Sequence, residues 1–423
     1  VKGLLDYEQQ PSFQLTVRAT NRVTNPVPDF TTVTINIIDI NDNYPSLTVS
    51  ALEAGLNSWV YLSEDTPTGT LVAFVKASDP DGGSSGIVRI SLSNTLSDFG
   101  LQEVSDGQYF LSTLRTLDRE AVDIYNISIQ ATDQGSPSRT TIRHLVIIVE
   151  DINDNPPYFP TPIYHANIDE NNRLSSPIVT VSANDPDEGT NSEITYHLWT
   201  QRDMFAVDAS SGLITAEVVL DREEQTSVNL FLSACDHGVP VLCSNATVVI
   251  DVQDQNDHQP IFKQSSYQFS IPENQIVNSV VGYTQATDAD TGRNAQMTYT
   301  MREADSNGAS NFFRIVAQTG KILTTRLVDY EEHDEFQFTV MVTDHGVSPL
   351  TSEVFVSITV QDENDNAPKV VSPNSGNDTF FIPQSAEAGF LVVPIEASDL
   401  DQGVNAQLSY SISTGDRGGI FGI

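Results

Sequence analysis

The chain has 423 residues, of which 57 are acidic and 20 basic, so its formal net charge is −37 at pH 7. A surface this negative argues against nucleic acid and anionic membranes as partners and favours cations. The length predicts three to four domains rather than one core. Because no membrane span and no leading signal sequence are evident, we expect a piece of a longer protein.

Runs of alternating apolar residues predict β-strands along the chain. They include RHLVIIVED at 143–151, ATVVIDVQD at 246–254 and VFVSITVQD at 354–362. Apolar side chains that tend to recur at every second position are typical of strands with one buried face. Turns such as DQGSPSRT at 133–140 join neighbouring runs as hairpins. Since no helical period is sustained, the sequence predicts all-β, tandem Greek-key sandwiches of about seven strands each.

A five-residue acidic motif recurs four times. DINDN stands at 39–43 and again at 151–155, DQNDH at 254–258 and DENDN at 362–366. The first aspartates of the copies, Asp39, Asp151, Asp254 and Asp362, are therefore separated by the length of a whole domain rather than by that of a solenoid unit. The four copies predict four domain junctions, which we number first to fourth along the chain.

Other acids keep fixed distances from this motif. An LDRE-type aspartate precedes every copy, always by the same number of residues. Each of these aspartates is followed, at a second constant spacing, by an acid or, in the first repeat, by Asn: Asp6/Asn21, Asp118/Asp133, Asp221/Asp236 and Asp329/Asp344. Paired aspartates follow each copy, with Glu or Gln always equally far before the pair: Glu64 before Asp79/Asp81, Glu170 before Asp185/Asp187, Glu273 before Asp288/Asp290, Gln384 before Asp399/Asp401. Merely solvated acids would drift in position, so these spacings indicate a function.

Calcium is the cation that this pattern favours. It takes about six to eight oxygen ligands, and the motif offers carboxylates, amide oxygens and backbone carbonyls. The recurring pattern lacks the histidine and thiolate ligands that zinc would favour. An EF-hand is rejected because DADTGRNAQM at 288–297 lacks the loop's final glutamate and runs into a predicted strand. Paired-carboxylate catalysis needs one cleft with contrasting pKa values, whereas this constellation is copied at every junction.

These residues resemble the extracellular cadherin repeat, whose signatures are the DxNDN linker, the LDRE-type acids, a base glutamate, DxDxGxN and the A-x-D end of a strand. The resemblance covers the whole chain, and the variation between repeats is similar to that of large non-type-I cadherins of the Fat, Dachsous or protocadherin groups. It implies the C-terminal part of a repeat at 1–44, complete repeats at 45–156, 157–259 and 260–367, and the N-terminal part of a repeat at 368–423.

The resemblance also implies about three calcium ions at each complete junction. At the second junction the ligands would be Glu64, Asp118, Glu120, Asp151, Asn153, Asp154, Asp185, Asp187 and Asp236, with the carbonyls of Ile152, Asn155 and Asn191. At the third they would be Glu170, Asp221, Glu223, Asp254, Asn256, Asp257, Asp288, Asp290 and Asp344, with the carbonyls of Gln255, His258 and Asn294. His258 replaces the usual Asn, and little loss is expected because a carbonyl serves there.

The two outer junctions would be incomplete within this chain. The first would use Asp6, Glu8, Asp39, Asn41, Asp42, Asp79, Asp81 and Asp133 together with Ile40, Asn43 and Gly86, where Gly86 replaces the usual Asn. The fourth would use Glu273, Asp329, Glu331, Asp362, Asn364, Asp365, Asp399, Asp401 and Asn405 together with Glu363 and Asn366. Asn21 and Gln384 would belong to junctions outside the chain and weaken them.

Charge predicts what bound ions would do. Eight carboxylates converge at the second junction, and three divalent ions would cut their charge from about −8 to about −2. Without ions, each like-charge pair at about 4 Å costs about 1 kcal/mol in water and about 4 kcal/mol at an effective dielectric of 20. The calcium-free junction should bend, whereas the loaded one is stiff. Extracellular modules bind calcium with Kd of roughly 10⁻⁴ to 10⁻³ M, so the site fills outside cells.

The predicted function is calcium-dependent cell–cell adhesion by the extracellular portion of a plasma-membrane protein. The resemblance implies another cadherin ectodomain, the same or different, as partner on an apposed cell. A spacer or mechanical tether without a binding face is the alternative. We expect no enzyme, no nucleic-acid or small-molecule partner, and membrane contact only through a span outside the chain. Sequons at Asn126, Asn245 and Asn377, and a disulfide favoured over two free thiols at Cys235 and Cys243, suit that location.

Overall fold

The computed structural model describes residues 1–52, 59–93, 97–302, 308–374, 376 and 379–423. Strands predominate over helix, so the predicted all-β class is confirmed. No helix among these residues has the length and apolar character needed to cross a membrane. The chain divides into two compact units, of which the first comprises Val1–Tyr164, Val179–Thr215 and Leu230–Val248, and the second comprises His165–Ile178, Ala216–Asn229 and Val249–Ile423.

The first unit opens with a hairpin and continues with a complete sandwich. In the hairpin, β1 (Ser12–Ala19) pairs antiparallel with β2 (Asp29–Asn36), and both are largely exposed. The sandwich contains β3 (Ser46–Ala51), β4 (Trp59–Ser63), β5 (Leu71–Ser78), β6 (Val88–Leu92), β7 (Phe99–Ser105), β8 (Gln108–Thr113), β9 (Ile124–Asp133) and β10 (Thr140–Glu150). Its sheets have the orders β4-β10-β9-β6 and β3-β5-β8-β7.

Alternation along the strands builds the core of this sandwich. In β9 every second side chain is buried, so Ile127, Ile129 and Ala131 are fully enclosed, and Ile147 of β10 meets them. Each large side chain so buried contributes about 1.5–3 kcal/mol relative to exposure. The first strand of this sandwich is divided into β3 and β4, which join opposite sheets. The sandwich therefore has eight strands where about seven are predicted.

Residues 157–259 contribute to both units. Their strands are β11 (Ile163–Asp169), β12 (Ser176–Thr180), β13 (Thr195–Leu198), β14 (Phe205–Val207), β15 (Leu213–Ala216), β16 (Ser227–Cys235) and β17 (Cys243–Gln253), with a 3₁₀ turn at Gly189–Ser192. Within the first unit, β13 pairs antiparallel with β16 from Thr195 opposite Cys235 to Leu198 opposite Leu232. Cys235 and Cys243 form the disulfide that the sequence favours.

The second unit contains another sandwich and a short terminal pair. Its strands are β18 (Ile261–Phe262), β19 (Ser266–Pro272), β20 (Val280–Tyr283), β21 (Ala286–Thr287), β22 (Thr298–Arg302), β23 (Phe313–Val316), β24 (Lys321–Thr324), β25 (Glu335–Thr343), β26 (Thr351–Gln361), β27 (Lys369–Ser372) and β28 (Glu396–Ser398), and α1 spans Ala309–Phe312. The sheets β19-β26-β25-β22 and β20-β24-β23 enclose a core that includes Phe313, Phe336 and Phe338.

The direction of the strands places the acidic motifs at opposite ends of a sandwich. β4 runs parallel to β10, with Ser63 opposite Glu150, so Glu64 and the linker leave the sheet side by side. β9 runs antiparallel to β10 and ends at Asp133, which pairs with Val88 at the start of β6. The Asp79/Asp81 loop enters β6 at that same end. One sandwich therefore offers acids to the junction before it and to the junction after it.

Candidate metal centres

The base glutamates join two motifs at the second, third and fourth junctions. Glu64 is only 3 % exposed, and its Oε1 and Oε2 accept hydrogen bonds from the backbone N–H groups of Ile152 at 2.8 Å and Arg119 at 2.9 Å. These bonds fix the linker against the LDRE-type loop. The same pair of bonds recurs at Glu170 with Gln255 and Arg222, and at Glu273 with Glu363 and Tyr330.

The first aspartate of each linker reaches the downstream DxDxGxN loop. Asp151 accepts hydrogen bonds from the backbone of Glu188 at 3.0 Å and from the side-chain amide of Asn191 at 2.8 Å. Corresponding amide bonds of 2.8 Å join Asn294 to Asp254 and Asn405 to Asp362. Sequence reasoning considers only the carbonyl of this Asn, whereas its side chain also holds the linker.

The first junction departs from this arrangement. Asp39 accepts a hydrogen bond from the backbone of Gly82 at 2.9 Å, but Gly86 has no side chain that could donate a second one. A Cβ at Gly86 would lie 2.2 Å from the carbonyl oxygen of Asp81, so the local backbone requires glycine. By the spacing of the other repeats, Ser85 rather than Gly86 stands at the Asn position. The ligand role of Gly86 remains a prediction.

The side chain of the middle linker Asn packs against a glycine that the sequence prediction does not include. Asn153 donates to the carbonyl of Pro240 at 2.5 Å and to Asp236 at 3.2 Å. A Cβ at Gly238 would lie 2.1 Å from the Asn153 side chain, so only glycine leaves room for it. Gly135 under Asn41 and Gly346 under Asn256 repeat the contact. The available signal is the Asp-x-Gly spacing of DQG, DHG and DHG.

The outer Asn of three linkers acts through its side chain or its backbone N–H. Asn155 donates from its amide to Asp154 at 2.6 Å and to Asp187 at 2.9 Å. Asn43 makes equivalent bonds to Asp42 and Asp81, and Asn366 donates to Asp365 and, from its backbone, to Asp401. At the third junction, His258 Nδ1 lies 2.8 Å from Asp257 and 3.2 Å from Asp290.

The remaining predicted ligands mainly organise their own loops. The LDRE-type aspartates accept backbone N–H bonds from residues two to three positions on, as Asp118 does from Ala121 at 2.9 Å; Asp6, Asp221 and Asp329 do the same. The first aspartate of each pair accepts from the backbone of the second (Asp79, Asp185, Asp288, Asp399). Within three linkers the carbonyls of Ile152, Gln255 and Glu363 accept from the residue two positions later.

The candidate metal centres at the junctions contain buried oxygens that accept no hydrogen bond. Within the described residues, most of the buried side-chain atoms that lack a partner are oxygens of predicted ligands: Asp39 Oδ1, Asn41 Oδ1, Asp79 Oδ2, Asn153 Oδ1, Asp185 Oδ2, Glu223 Oε2, Asn256 Oδ1, Asp288 Oδ2, both oxygens of Asp290, Glu331 Oε1, Asp362 Oδ1 and Asp401 Oδ2. A buried polar group without a partner is costly. Oxygen-only acceptors that converge in this way fit a hard cation such as calcium.

Burial and, after it, the closeness of neighbouring carboxylates shift the pKa values of the acids at the junctions. Possible ligand oxygens of Glu64, Glu120 and Asp151 lie within 4.8 Å of one another, and so do those of Glu120, Asp154 and Asp187. Burial, followed by the charges of Glu64 and Asp187, raises the pKa of Asp154. At the fourth junction, burial and a hydrogen bond with Asp329 raise the pKa of Glu331 to about 7. A bound cation would relieve this repulsion.

Arginine stands among the acids at two junctions, which the sequence prediction misses. Arg119 contacts Asp151 and Glu120 at 2.5 Å each, and its Nη2 donates to the carbonyl of Pro186 at 2.8 Å. Arg222 contacts Glu223 and Asp254 and donates to the carbonyl of Ala289. The first and fourth junctions have Tyr7 and Tyr330 instead. The available signal is the letter between the two acids of LDRE or LDYE.

Two of the three candidate glycosylation sites lie on strands. Asn126 on β9 and Asn245 on β17 are exposed, as a glycosylation acceptor must be. Asn377 lies outside the described residues. Neither observation tests glycosylation, which stays a prediction.

Comparisons with known proteins identify the family. The family model described as Cadherin domain matches residues 59–150, 164–253 and 267–361. The chain is 37% identical to human Protocadherin-7 over 432 residues, covering 99% of this chain and 40% of that protein, and 36% identical to rat Protocadherin-16, covering 99% of this chain and 13% of that protein. The chain thus spans well under half of either relative.

Two solved structures are similar to this chain over most of its length. The one titled Protocadherin Gamma B2 extracellular cadherin domains 3-6 superposes with a TM-score of 0.73 at 30% sequence identity, covering 86% of this chain and 86% of that chain. The structure titled Protocadherin gammaB7 EC3-6 cis-dimer gives a TM-score of 0.70 at 30% identity, with coverage of 84% and 86%. With family matches along most of its length, this chain belongs to the cadherin family, with protocadherins among its relatives.

Proposed function

We propose that this chain is an extracellular segment of a plasma-membrane cadherin that binds calcium between its repeats and takes part in calcium-dependent cell–cell adhesion. The observation that carries the proposal is the set of buried, unpaired oxygens that recurs at all four junctions. The domain boundaries at 44, 156, 259 and 367 and the ligand sets given above are part of it. Cadherin domains bind calcium as a class, and about three ions per complete junction is our proposal.

The chain's own residues prepare each junction for the cation. Glu64 ties the LDRE-type loop to the linker, and Asp151 ties the linker to the downstream loop. This leaves Asn153 Oδ1 and Asp154 of the linker and Asp185 of the downstream loop to face the centre. Bound calcium supplies positive charge that offsets their repulsion. Since the ligands come from both sides of the linker, filling the site resists bending of the linker.

Adhesion implies a partner of the same family. The proposed partner is another cadherin ectodomain, the same or different, on an apposed cell, because the relatives are protocadherins. Neither a nucleophile–base pair nor a cofactor loop is needed to account for the recurring motifs. The alternative is a spacer or tether that bears load without a binding face in this segment.

A pairing assay distinguishes the two proposals. Beads coated with the full chain are mixed with each other and with beads coated with other cadherin ectodomains, in calcium and after chelation. We expect calcium-dependent aggregation in at least one combination. Absence of pairing in every combination, while calcium still stiffens the chain, would favour the tether.

The ligand assignment has its own test in Asp154→Ala. Loss of this carboxylate should weaken calcium binding at the second junction by about tenfold or more and broaden the hinge distribution seen by single-molecule fluorescence. The sandwiches on either side should remain folded, since Asp154 is exposed. Asp203→Ala, which removes an exposed carboxylate from the loop between β13 and β14, is the matched control. Undiminished calcium binding in Asp154→Ala would contradict the assignment.

A further inference from the structure

The third junction carries an imidazole where the others carry an amide. His258 Nδ1 lies 2.8 Å from Asp257 Oδ1, 3.2 Å from Asp290 Oδ1 and 3.5 Å from Glu223 Oε2. These four side chains can each offer one ligand atom such that all four atoms lie within 4.8 Å of one another. A nitrogen and three carboxylate oxygens thus meet at one point, entirely within the second unit.

The second junction provides the comparison within the same chain. There the amide of Asn155 donates to Asp154 at 2.6 Å, to Asp187 at 2.9 Å and to Glu120 at 3.3 Å. An amide nitrogen is a donor and has no lone pair for a metal. The equivalent three carboxylates therefore each accept a hydrogen bond from one neutral amide, and a nitrogen ligand is absent.

The third cluster contains buried carboxylate oxygens that accept no hydrogen bond. Asp290 is only 4 % exposed, and neither of its carboxylate oxygens has a hydrogen-bond partner. Oε2 of Glu223 is likewise buried and unpaired. The contact between His258 and Asp290 does not meet hydrogen-bond geometry, and a protonated Nδ1 would donate its one hydrogen bond to Asp257. In a neutral imidazole with its proton on Nε2, Nδ1 has a free lone pair that can bind a metal ion together with these oxygens.

We propose that Glu223, Asp257, His258 and Asp290 form a site for a divalent transition-metal ion of the zinc class. Zinc binds histidine nitrogen and carboxylate oxygen at about 2.0–2.2 Å in a tetrahedron, whose ligand atoms are then about 3.3 Å apart. The distances from Nδ1 to Asp290 and Glu223 are 3.2 and 3.5 Å. The 2.8 Å contact between Nδ1 and Asp257 is shorter than this spacing, so it must lengthen when Nδ1 binds the metal. A nitrogen ligand favours zinc over calcium, which prefers oxygen.

The proposal goes beyond calcium binding and adhesion. Three of its ligands, Glu223, Asp257 and Asp290, also belong to the proposed calcium set of this junction, so the two metals compete for them. The third junction alone would then respond to zinc, while the second junction, with Asn155, would not. Zinc at this place acts on the linker 254–258 without changing the other linkers.

Calorimetric titration of the calcium-free full chain with zinc chloride tests the site. We expect the chain to bind a zinc ion whose affinity falls by about tenfold or more in His258→Asn, which restores the amide of the second junction. Asn155→His should create a second site of similar affinity. Cobalt(II) should give the visible absorption of a tetrahedral nitrogen–oxygen site in the wild type and lose it in His258→Asn. Added calcium should lower the apparent zinc affinity.

Controls separate this site from incidental binding and from the calcium proposal. His237→Gln removes an exposed histidine that lies 3.4 Å from Glu193 and should leave the zinc titration unchanged. Calcium binding by His258→Asn, and its thermal unfolding in calcium, should match the wild type, because the proposed calcium ligand at 258 is a carbonyl. Unchanged zinc stoichiometry and affinity in His258→Asn, or their loss in His237→Gln, would overturn the proposal. Failure of calcium stiffening in the wild type would instead contradict the proposed function.

Discussion

At the scale of single residues, the position between the two acids of each LDRE-type motif divides the junctions into two kinds. Arg119 places a guanidinium among the carboxylates and reaches the downstream carbonyl of Pro186. Arginine forms such forked contacts at fixed geometry and stays protonated. Tyr7 instead lays its ring against Gly82, where a Cβ would be 2.8 Å away. The arginine junctions therefore keep an internal counter-charge when calcium is absent.

Arg119→Tyr tests this difference. In chelator, the second junction should bend more freely than in the wild type, because one positive charge and the link to Pro186 are both lost. In calcium the two proteins should be equally stiff. Single-molecule fluorescence between dyes on either side of the linker measures the distribution of hinge angles. Arg119→Lys, which keeps the charge but not the fork, should be intermediate, and identical distributions for all three proteins would contradict the idea.

Much of the junction is predictable at residue scale because its ligands keep constant spacings. The distance from each LDRE-type aspartate to its linker, and from that aspartate to the end of the next strand, identifies Asp118, Asp133 and the linker acids without any structure. The supporting residues are not found in this way, since their roles depend on contacts across the linker. Gly238 matters only because Asn153 lies on it, and Arg119 because it reaches Pro186. The Asp-x-Gly spacing marks the position of Gly238, but spacing along the chain does not show which side chain packs against it.

At the scale of the elements, strand direction decides which junction each acid serves. Period-two alternation predicts β10, β17 and β26 correctly, because every second side chain is buried in the C-terminal part of each strand. The parallel pairing of β4 with β10 is not predictable, as a strand as short as β4 carries little pattern of its own. It is nevertheless what brings Glu64 to the linker. The turn after β9 has a similar role, since Gly135 leaves room for the side chain of Asn41 in the linker of the preceding junction.

Gly238→Ala tests the role of the turn after β16. The added Cβ would lie 2.1–2.4 Å from the Asn153 side chain, so Asn153 must leave its place and lose its bonds to Pro240 and Asp236. We expect calcium affinity at the second junction to fall by about tenfold and the free energy of unfolding to fall by about 1–3 kcal/mol.

The matched variant Gly346→Ala should have the same effect at the third junction and none at the second. Calcium titration with chemical denaturation measures both quantities. A Gly238→Ala protein with wild-type affinity would show that Asn153 is not held by this glycine. A loss at both junctions from either variant would point to a global change rather than to a local clash.

At the scale of the whole molecule, the excess of acids couples stability to both calcium and pH. Burial is the first cause of the raised pKa values of Glu120, Asp154, Asp185, Glu223, Asp288, Asp290 and Glu331 in the calcium-free fold, with neighbouring acids adding to it in most of them. The folded chain thus holds protons more tightly than the unfolded chain. Stability from this source is present below the ordinary carboxylate pKa and is lost as pH rises through the raised values.

The expected outcome is that the calcium-free chain becomes less stable as pH rises. The window runs from the ordinary glutamate pKa of 4.5 to the value of about 7 for Glu331. Asp208, whose pKa is lowered to about 2 by hydrogen bonds from Ser211 and Ser210, acts in the opposite direction only at more acidic pH. Thermal unfolding of metal-free protein should therefore show a lower Tm at about pH 8 than at about pH 6. In millimolar calcium the trend should reverse, because deprotonated carboxylates are the ligands. A Tm that rises with pH in the metal-free protein would mean that the clustered acids do not repel as the geometry requires.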